Sequence, residues 1–270
     1  MKELKEKRFF LLDMDGTIYI DRTLFDGTLD FLSHIRATGG RYLFLTNNSS
    51  KSSADYVKKL ASLGIPATCD DFLTSTDATI LYLTENHPRA KVYAMGTRSF
   101  VAQLREGGID ATTERSDDVD LLLISNDTEL TFGKLEDACI LLGRGVSYIA
   151  TNPDDVCPTA YGYAPDCGSF AEMLFRATGR RPFFIGKPKP TMITLALERY
   201  GFSAEDALMI GDRMYTDIAA GVAAGVDTVF VLSGEGTRAD AEKSESKPTY
   251  ILDNIRTLDN AVFGASGDPH

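Results

Sequence analysis

The sequence predicts an α/β protein built on a mainly parallel sheet. Short apolar runs alternate with helix-patterned segments along the whole chain. Several of those runs stop abruptly in polar residues, as parallel strands do at the edge where ligands bind. The chain has 270 residues, 43% of them hydrophobic and 25% charged, which suits a soluble protein of one large domain or two ordinary ones.

The first section opens with a strand at residues 8–13. It ends in Asp13-Met14-Asp15-Gly16-Thr17, two acids one residue apart before a turn-forming Gly-Thr. Such a pair is either a metal-binding catalytic site or a strand end that happens to be acidic, and this stretch alone leaves both open. A helix at 30–36 stops at Gly39-Gly40. A strand at 41–45 runs into Thr46-Asn47-Asn48-Ser49-Ser50, a loop rich in hydrogen-bonding groups. Ser52 or Ser53 caps a helix with Val57, Leu60, Ala61 and Leu63 on one face, closed by Gly64 and Pro66. A short strand at 72–75 and a helix at 78–85 follow.

A second series of units then begins: a strand at 91–95, a helix at 99–106 capped by Ser99, a strand at 120–125, a helix at 134–142 and a strand at 147–150. The last ends in Thr151-Asn152-Pro153-Asp154-Asp155. An irregular stretch with Pro158, Gly162, Pro165 and Gly168 separates it from a helix at 169–178; loops this long are usually functional or disordered. The third section has a strand at 183–185 leading to Gly186-Lys187-Pro188, a helix at 191–200, and a strand at 207–210 ending at Gly211-Asp212-Arg213. A small-residue helix at 217–224, a strand at 228–232 before Ser233-Gly234-Glu235-Gly236, an edge strand at 248–252 and a frayed end from Gly264 complete it.

The net charge of −11 repels phosphate backbones and anionic lipids, which argues against nucleic-acid and membrane partners. Any phosphate site therefore needs local cations. Cys69, Cys139, Cys157 and Cys167 lack the spacing of a zinc site and read as free thiols of a reducing compartment. The apolar run after the basic start is too short for a signal peptide, and no stretch is long enough to span a membrane. The expectation is a cytoplasmic protein.

Four strand ends carry polar clusters: Asp13/Asp15, Thr46/Asn47, Lys187 and Asp212/Asp217. On one sheet edge they would supply a nucleophile, an acid/base, hydroxyl and amide donors, a cation and metal-binding acids. That set suits phosphoryl transfer, where positioning and charge neutralisation do most of the catalysis.

The same four segments, in order, resemble the four motifs of the haloacid dehalogenase superfamily. Their spelling, with Thr46-Asn47-Asn48, Gly186-Lys187-Pro188 and Gly211-Asp212-Arg213 followed by Thr216-Asp217, is similar to the type IIA branch of p-nitrophenyl-phosphatase-like and phosphoglycolate-phosphatase-like enzymes. The resemblance continues through Ala150-Thr151-Asn152-Pro153-Asp154 and spans nearly the whole chain. It implies a Rossmann-like core at 1–82 and 182–270, interrupted by an inserted α/β cap domain at 83–181. The family's roles imply that Asp13 attacks phosphorus and forms an aspartyl-phosphate. Asp15 protonates the leaving oxygen and then deprotonates water. Thr46 and the Asn47 backbone, beside Asn48, hold the phosphoryl oxygens, and Lys187 neutralises charge. Mg²⁺ is held by the carboxylates of Asp13 and Asp212 and the carbonyl of Asp15, with Asp217 behind them. A dehalogenase has no need of the second acid, so Asp15 favours phosphate chemistry.

In the relatives the loop near Cys157 reaches from the cap toward the substrate, so Asn152, Asp155 and Cys157 are expected substrate contacts. The resemblance also implies pairing of two copies through the cap. The expected function is Mg²⁺-dependent hydrolysis of small phosphorylated metabolites: sugar phosphates, phosphoglycolate, nucleotides or p-nitrophenyl phosphate. The alternatives are a phosphotransferase or mutase on the same fold, and a non-catalytic phospho-ligand sensor.

Overall fold

The computed structural model describes residues 2–49, 53–159 and 162–264. Ser50 and Ser52, read above as loop and capping residues, lie outside the described residues, as does the tail beyond Gly264. The chain forms two compact units. One comprises Met1–Thr46, Ser53–Leu73 and Lys187–His270; the other comprises Asn47–Ser52 and Thr74–Gly186.

The first unit carries a six-stranded sheet in the order Tyr250–Leu252, Asp227–Val231, Ala207–Gly211, Phe9–Leu12, Arg41–Thr46, Phe72–Thr74. Phe9–Leu12 lies at its centre because all four side chains are apolar and are buried on both faces. Its neighbours on both sides run parallel to it, with Leu12 opposite Phe44 and Ile210. Asp13, just past its strand, therefore stands level with Leu45 and Gly211 at the carboxyl ends of the neighbouring strands. The strand order also reverses at Phe9–Leu12, and such switch points leave a crevice beyond the carboxyl ends of the strands. Asp13 and Asp212 stand on its two sides.

The second unit has its own parallel sheet, ordered Phe183–Phe184, Ser147–Ala150, Leu121–Ile124, Val92–Met95, Ala111–Thr112. The sequence reading drew the insertion at 83–181, whereas this unit resumes at Thr74 and ends at Gly186. Two contacts move the boundaries outward. Phe183 and Phe184 pair with Ile149 and Ala150, so that strand belongs to this sheet. Helix Ser75–Asn86 is tied to helix Arg98–Glu106, with Gln103 Nε2 donating to Asp77 Oδ1 at 2.9 Å.

Other local expectations are corrected. Thr97, not Ser99, caps Arg98–Glu106, its side chain accepting from Phe100 N–H. The stretch taken as irregular contains an antiparallel hairpin, Val156–Thr159 with Gly162–Pro165. The helix expected at 217–224 begins as a π-helical turn, Met214–Ile218, and continues as Ala219–Ala223. Among the described residues no helix is long and apolar enough to cross a membrane.

Candidate active site

The site in the first unit is built on strand ends. Lys187 is almost completely buried, and its Nζ lies 2.6 Å from Asp13 Oδ1, 2.7 Å from Asp217 Oδ1 and 3.1 Å from the Leu45 carbonyl oxygen. One ammonium thus joins the ends of two neighbouring strands to the turn that follows a third. Asp217 acts inside the π-helical turn, where its Oδ2 also accepts from the Arg213 backbone N–H at 3.1 Å.

Asp212 is also buried, and its carboxylate sits between two glycine-containing turns. Oδ2 accepts from Glu235 N–H at 2.8 Å, and Thr17 Oγ1 donates to Oδ1 at 3.4 Å. A Cβ at Gly16 would come within 2.3 Å of Asp212 Oδ2, and one at Gly234 within 2.0 Å. Gly16 adopts φ +91°, where a side chain is strained in any case. Ser233 Oγ joins the turns by donating to the Gly16 carbonyl at 2.9 Å. Arg213, between these groups, pairs through Nε with Glu235 at 2.9 Å.

Asp13, Asp212 and Asp217 each offer an oxygen, and these oxygens lie within 4.8 Å of one another. Burial, with Asp217 nearby, pushes the Asp13 carboxyl up to about 8, against the opposing effect of Lys187. Burial and the same neighbour push Asp212 up to about 6. For Lys187 burial acts to lower the pKa, but Asp13 and Asp217 outweigh it and hold the ammonium above its usual range. Three buried acids with one enclosed lysine form a site short of positive charge. Its oxygen donors suit a hard divalent cation such as Mg²⁺, so the residues present fit that ion.

Asp15 stands outside the carboxylate cluster. Its side chain is 58% exposed, with Tyr19 OH donating at 3.2 Å and Lys59 Nζ lying 3.4 Å away. Lys59 Nζ also sits 4.0 Å from the centre of the Tyr19 ring. A carboxyl group held this loosely at the surface can exchange protons with solvent. Thr46 is the last residue of its strand and is largely buried.

The remaining expected contacts belong to the second unit. Asn47 is buried and Asn48 half-buried. Asp155 is exposed and Cys157 is partly buried in the hairpin. Asn152, expected to face a substrate, is fully buried, and its Nδ2 donates to the Asn47 carbonyl at 2.9 Å.

Comparison with known proteins places this arrangement. The profile of the haloacid dehalogenase-like hydrolase family matches residues 10–110, and that of the HAD-hydrolase-like family matches 184–258. An acid sugar phosphatase of Staphylococcus epidermidis is 33% identical over 252 residues, 93% of this chain and 96% of that protein. The chain belongs to the haloacid dehalogenase-like hydrolases. Among solved structures of this family, 4-nitrophenylphosphatase from Thermotoga maritima is 37% identical with a TM-score of 0.90, covering 96% of this chain and 98% of that one. Glycerol phosphate phosphatase from Mycobacterium tuberculosis, in complex with magnesium, is 33% identical with a TM-score of 0.87, covering 96% of this chain and 78% of that one. The structure brings the carboxylates of Asp13, Asp212 and Asp217 together with Lys187; the sequence showed the turns at Gly16-Thr17 and Ser233–Gly236 but not that they close on the Asp212 carboxylate.

Proposed function

We propose that this hydrolase is a Mg²⁺-dependent phosphatase of small phosphate monoesters that works through an aspartyl-phosphate. The observation that carries this reading is Asp13 at the end of the central strand, with Lys187 at 2.6 Å and Asp212 across the switch point. Uncatalysed monoester hydrolysis is so slow that enzymes reach accelerations of up to ~10²¹, so several effects have to combine.

Asp13 and Asp212 would hold the ion. When bound there, Mg²⁺ supplies positive charge that favours the ionised carboxylates and screens Asp13 from an incoming phosphate. The chain's own residues do the rest. Asp13 attacks phosphorus, the ester oxygen leaves with a proton from Asp15, and the phosphoryl group rests on Asp13. Asp15 then takes a proton from water, which attacks phosphorus and releases inorganic phosphate and free Asp13. Lys187 neutralises Asp13 and the transferring group, while Asp217 fixes Lys187 from the other side. Thr46 Oγ1 and the Asn47 backbone hold the phosphoryl oxygens.

Sugar phosphates are the first substrates to test, because a relative 33% identical over most of the chain is an acid sugar phosphatase. The net charge of −11 favours a small ester over a polyanion. The free thiols fit the cytoplasm. The test is release of phosphate from p-nitrophenyl phosphate and a panel of sugar phosphates, with Mg²⁺ and with a chelator. Metal-dependent release by the wild-type protein and none by Asp13→Asn is expected; full activity in Asp13→Asn would overturn the proposal.

A further inference from the structure

We infer that Asn152 is a positioning residue for the phosphoryl-holding loop and not a substrate contact. This rests on the reading of Thr46 and the Asn47 backbone as the groups that hold the phosphoryl oxygens, and adds to them the N–H of the neighbouring Asn48.

Within the second unit, the carbonyl of Asn47 accepts two side-chain hydrogen bonds. Asn152 Nδ2 donates at 2.9 Å and Ser75 Oγ at 2.7 Å. Asn152 is 0% exposed and is itself held, its Oδ1 accepting from Asp154 N–H at 3.1 Å. Asn47 returns a bond, with Nδ2 donating to Asp154 Oδ1 at 3.2 Å. Two residues on, Ser49 Oγ lies 2.9 Å from Ser125 Oγ and accepts from Asn126 N–H at 3.4 Å. The loop that follows Thr46 is therefore fastened at successive points to one buried polar network.

The peptide bond is planar and trans, so the N–H of Asn48 points opposite to the C=O of Asn47. Two donors on that carbonyl fix the plane and with it the direction of the Asn48 N–H. Donors aimed in advance at an oxyanion need no reorganisation when charge develops. The same strand end serves a second junction. Gly186 N–H donates to the Thr151 carbonyl at 2.8 Å, and a Cβ on Gly186 would stand 2.6 Å from Asn47 Oδ1 and 3.0 Å from Asn152 Cβ. Thr151 and Asn152 thus hold the chain neighbours of both Thr46 and Lys187. A residue that orients a common phosphate cradle acts on every ester alike; a specificity contact acts on some.

The experiment uses the full chain with Asn152→Ala and Ser75→Ala. Phosphate release by the wild-type protein is measured first, since its absence on every ester would sink the phosphatase reading itself. For each variant, kcat/KM is measured on p-nitrophenyl phosphate and one sugar phosphate. Inhibition by inorganic phosphate, half-saturation by Mg²⁺ and thermal unfolding are followed in parallel. Asn152→Ala is expected to lose about 10–100-fold in kcat/KM on both esters, within the range seen for oxyanion donors and their supports. Inorganic phosphate should inhibit it more weakly, with Mg²⁺ half-saturation unchanged. Ser75→Ala should show the same pattern with a smaller loss, and it decides the matter alone if Asn152→Ala does not fold. A loss confined to one ester overturns the inference in favour of a substrate contact. A folded variant with wild-type phosphate inhibition overturns it as well, whatever its melting temperature.

Discussion

Gly234→Ala adds one methyl group and tests how closely the Asp212 carboxylate is held. The new Cβ would lie 2.0 Å from Oδ2 and 2.4 Å from Cγ of Asp212, where ordinary contact begins at 3.4 Å. Relieving the overlap needs a movement of about 1 Å or more, on the scale at which misplaced catalytic groups cost about 10²-fold in rate. The carboxylate has little freedom to retreat, because a Cβ at Gly16 would also stand only 2.3 Å from Oδ2. Its bonds to Glu235 N–H and Thr17 Oγ1 would have to lengthen as well. The expected result is a fall in kcat of about 10²-fold together with a 10–100-fold weaker Mg²⁺ affinity, the usual effect of disturbing groups behind a metal ligand. Turnover of p-nitrophenyl phosphate across a Mg²⁺ titration, with calorimetric Mg²⁺ binding, measures both. Gly143→Ala is the control, since a Cβ there would meet nothing within 4 Å. Wild-type kcat and Mg²⁺ affinity in folded Gly234→Ala would refute the cradle.

Two further outcomes are expected. Asp15→Asn should lose at least about 10²-fold in kcat, the scale of acid–base catalysis, with circular dichroism unchanged because its side chain is largely exposed; near-normal turnover would remove Asp15 from the mechanism. Asp166, which caps helix Cys167–Thr178, is buried, and that burial raises its carboxyl to about 6 despite the Cys167 N–H at 2.6 Å. Its folded pKa lies above the unfolded value, so the folded state holds the extra proton and Asp166 makes the protein less stable as pH rises from about 4 to 6, by about 3 kcal/mol in all. Asp166→Asn keeps a capping side chain without the charge. Its stability relative to wild type, from urea unfolding, should therefore rise through that window and level off above it; a difference independent of pH would contradict the assignment.

The core and its acids were legible because strand and site coincide. Four apolar residues ending at Asp13, and comparable runs ending at Thr46 and Gly211, announce both a buried parallel strand and the edge where its ligands gather. The hairpin at Val156–Pro165 was hidden by Pro158, Gly162 and Pro165, which weaken any strand pattern and are tolerated in an isolated two-stranded ribbon. Which sheet receives Phe183-Phe184 was not legible, because the segment reads as a strand in either unit and its pairing with Ile149 and Ala150 is a long-range fact. Asn152 was singled out by its place in a polar loop. Its contact with the Asn47 carbonyl, 105 residues away in sequence, was not accessible to local pattern. Tyr19 and Lys59 beside Asp15 were missed for the same reason, since each looks like an ordinary core or surface residue.

The central claim is that Asp13 carries the phosphoryl group between two half-reactions. It is tested by rapid quenching of the enzyme in turnover with Mg²⁺ and a substrate radiolabelled in its phosphoryl group, followed by peptide mapping. A transient, alkali-labile label on the peptide containing Asp13, absent from Asp13→Asn, is the predicted result. Turnover with the label on another residue, or labelling of Asp13→Asn equal to wild type, would contradict it.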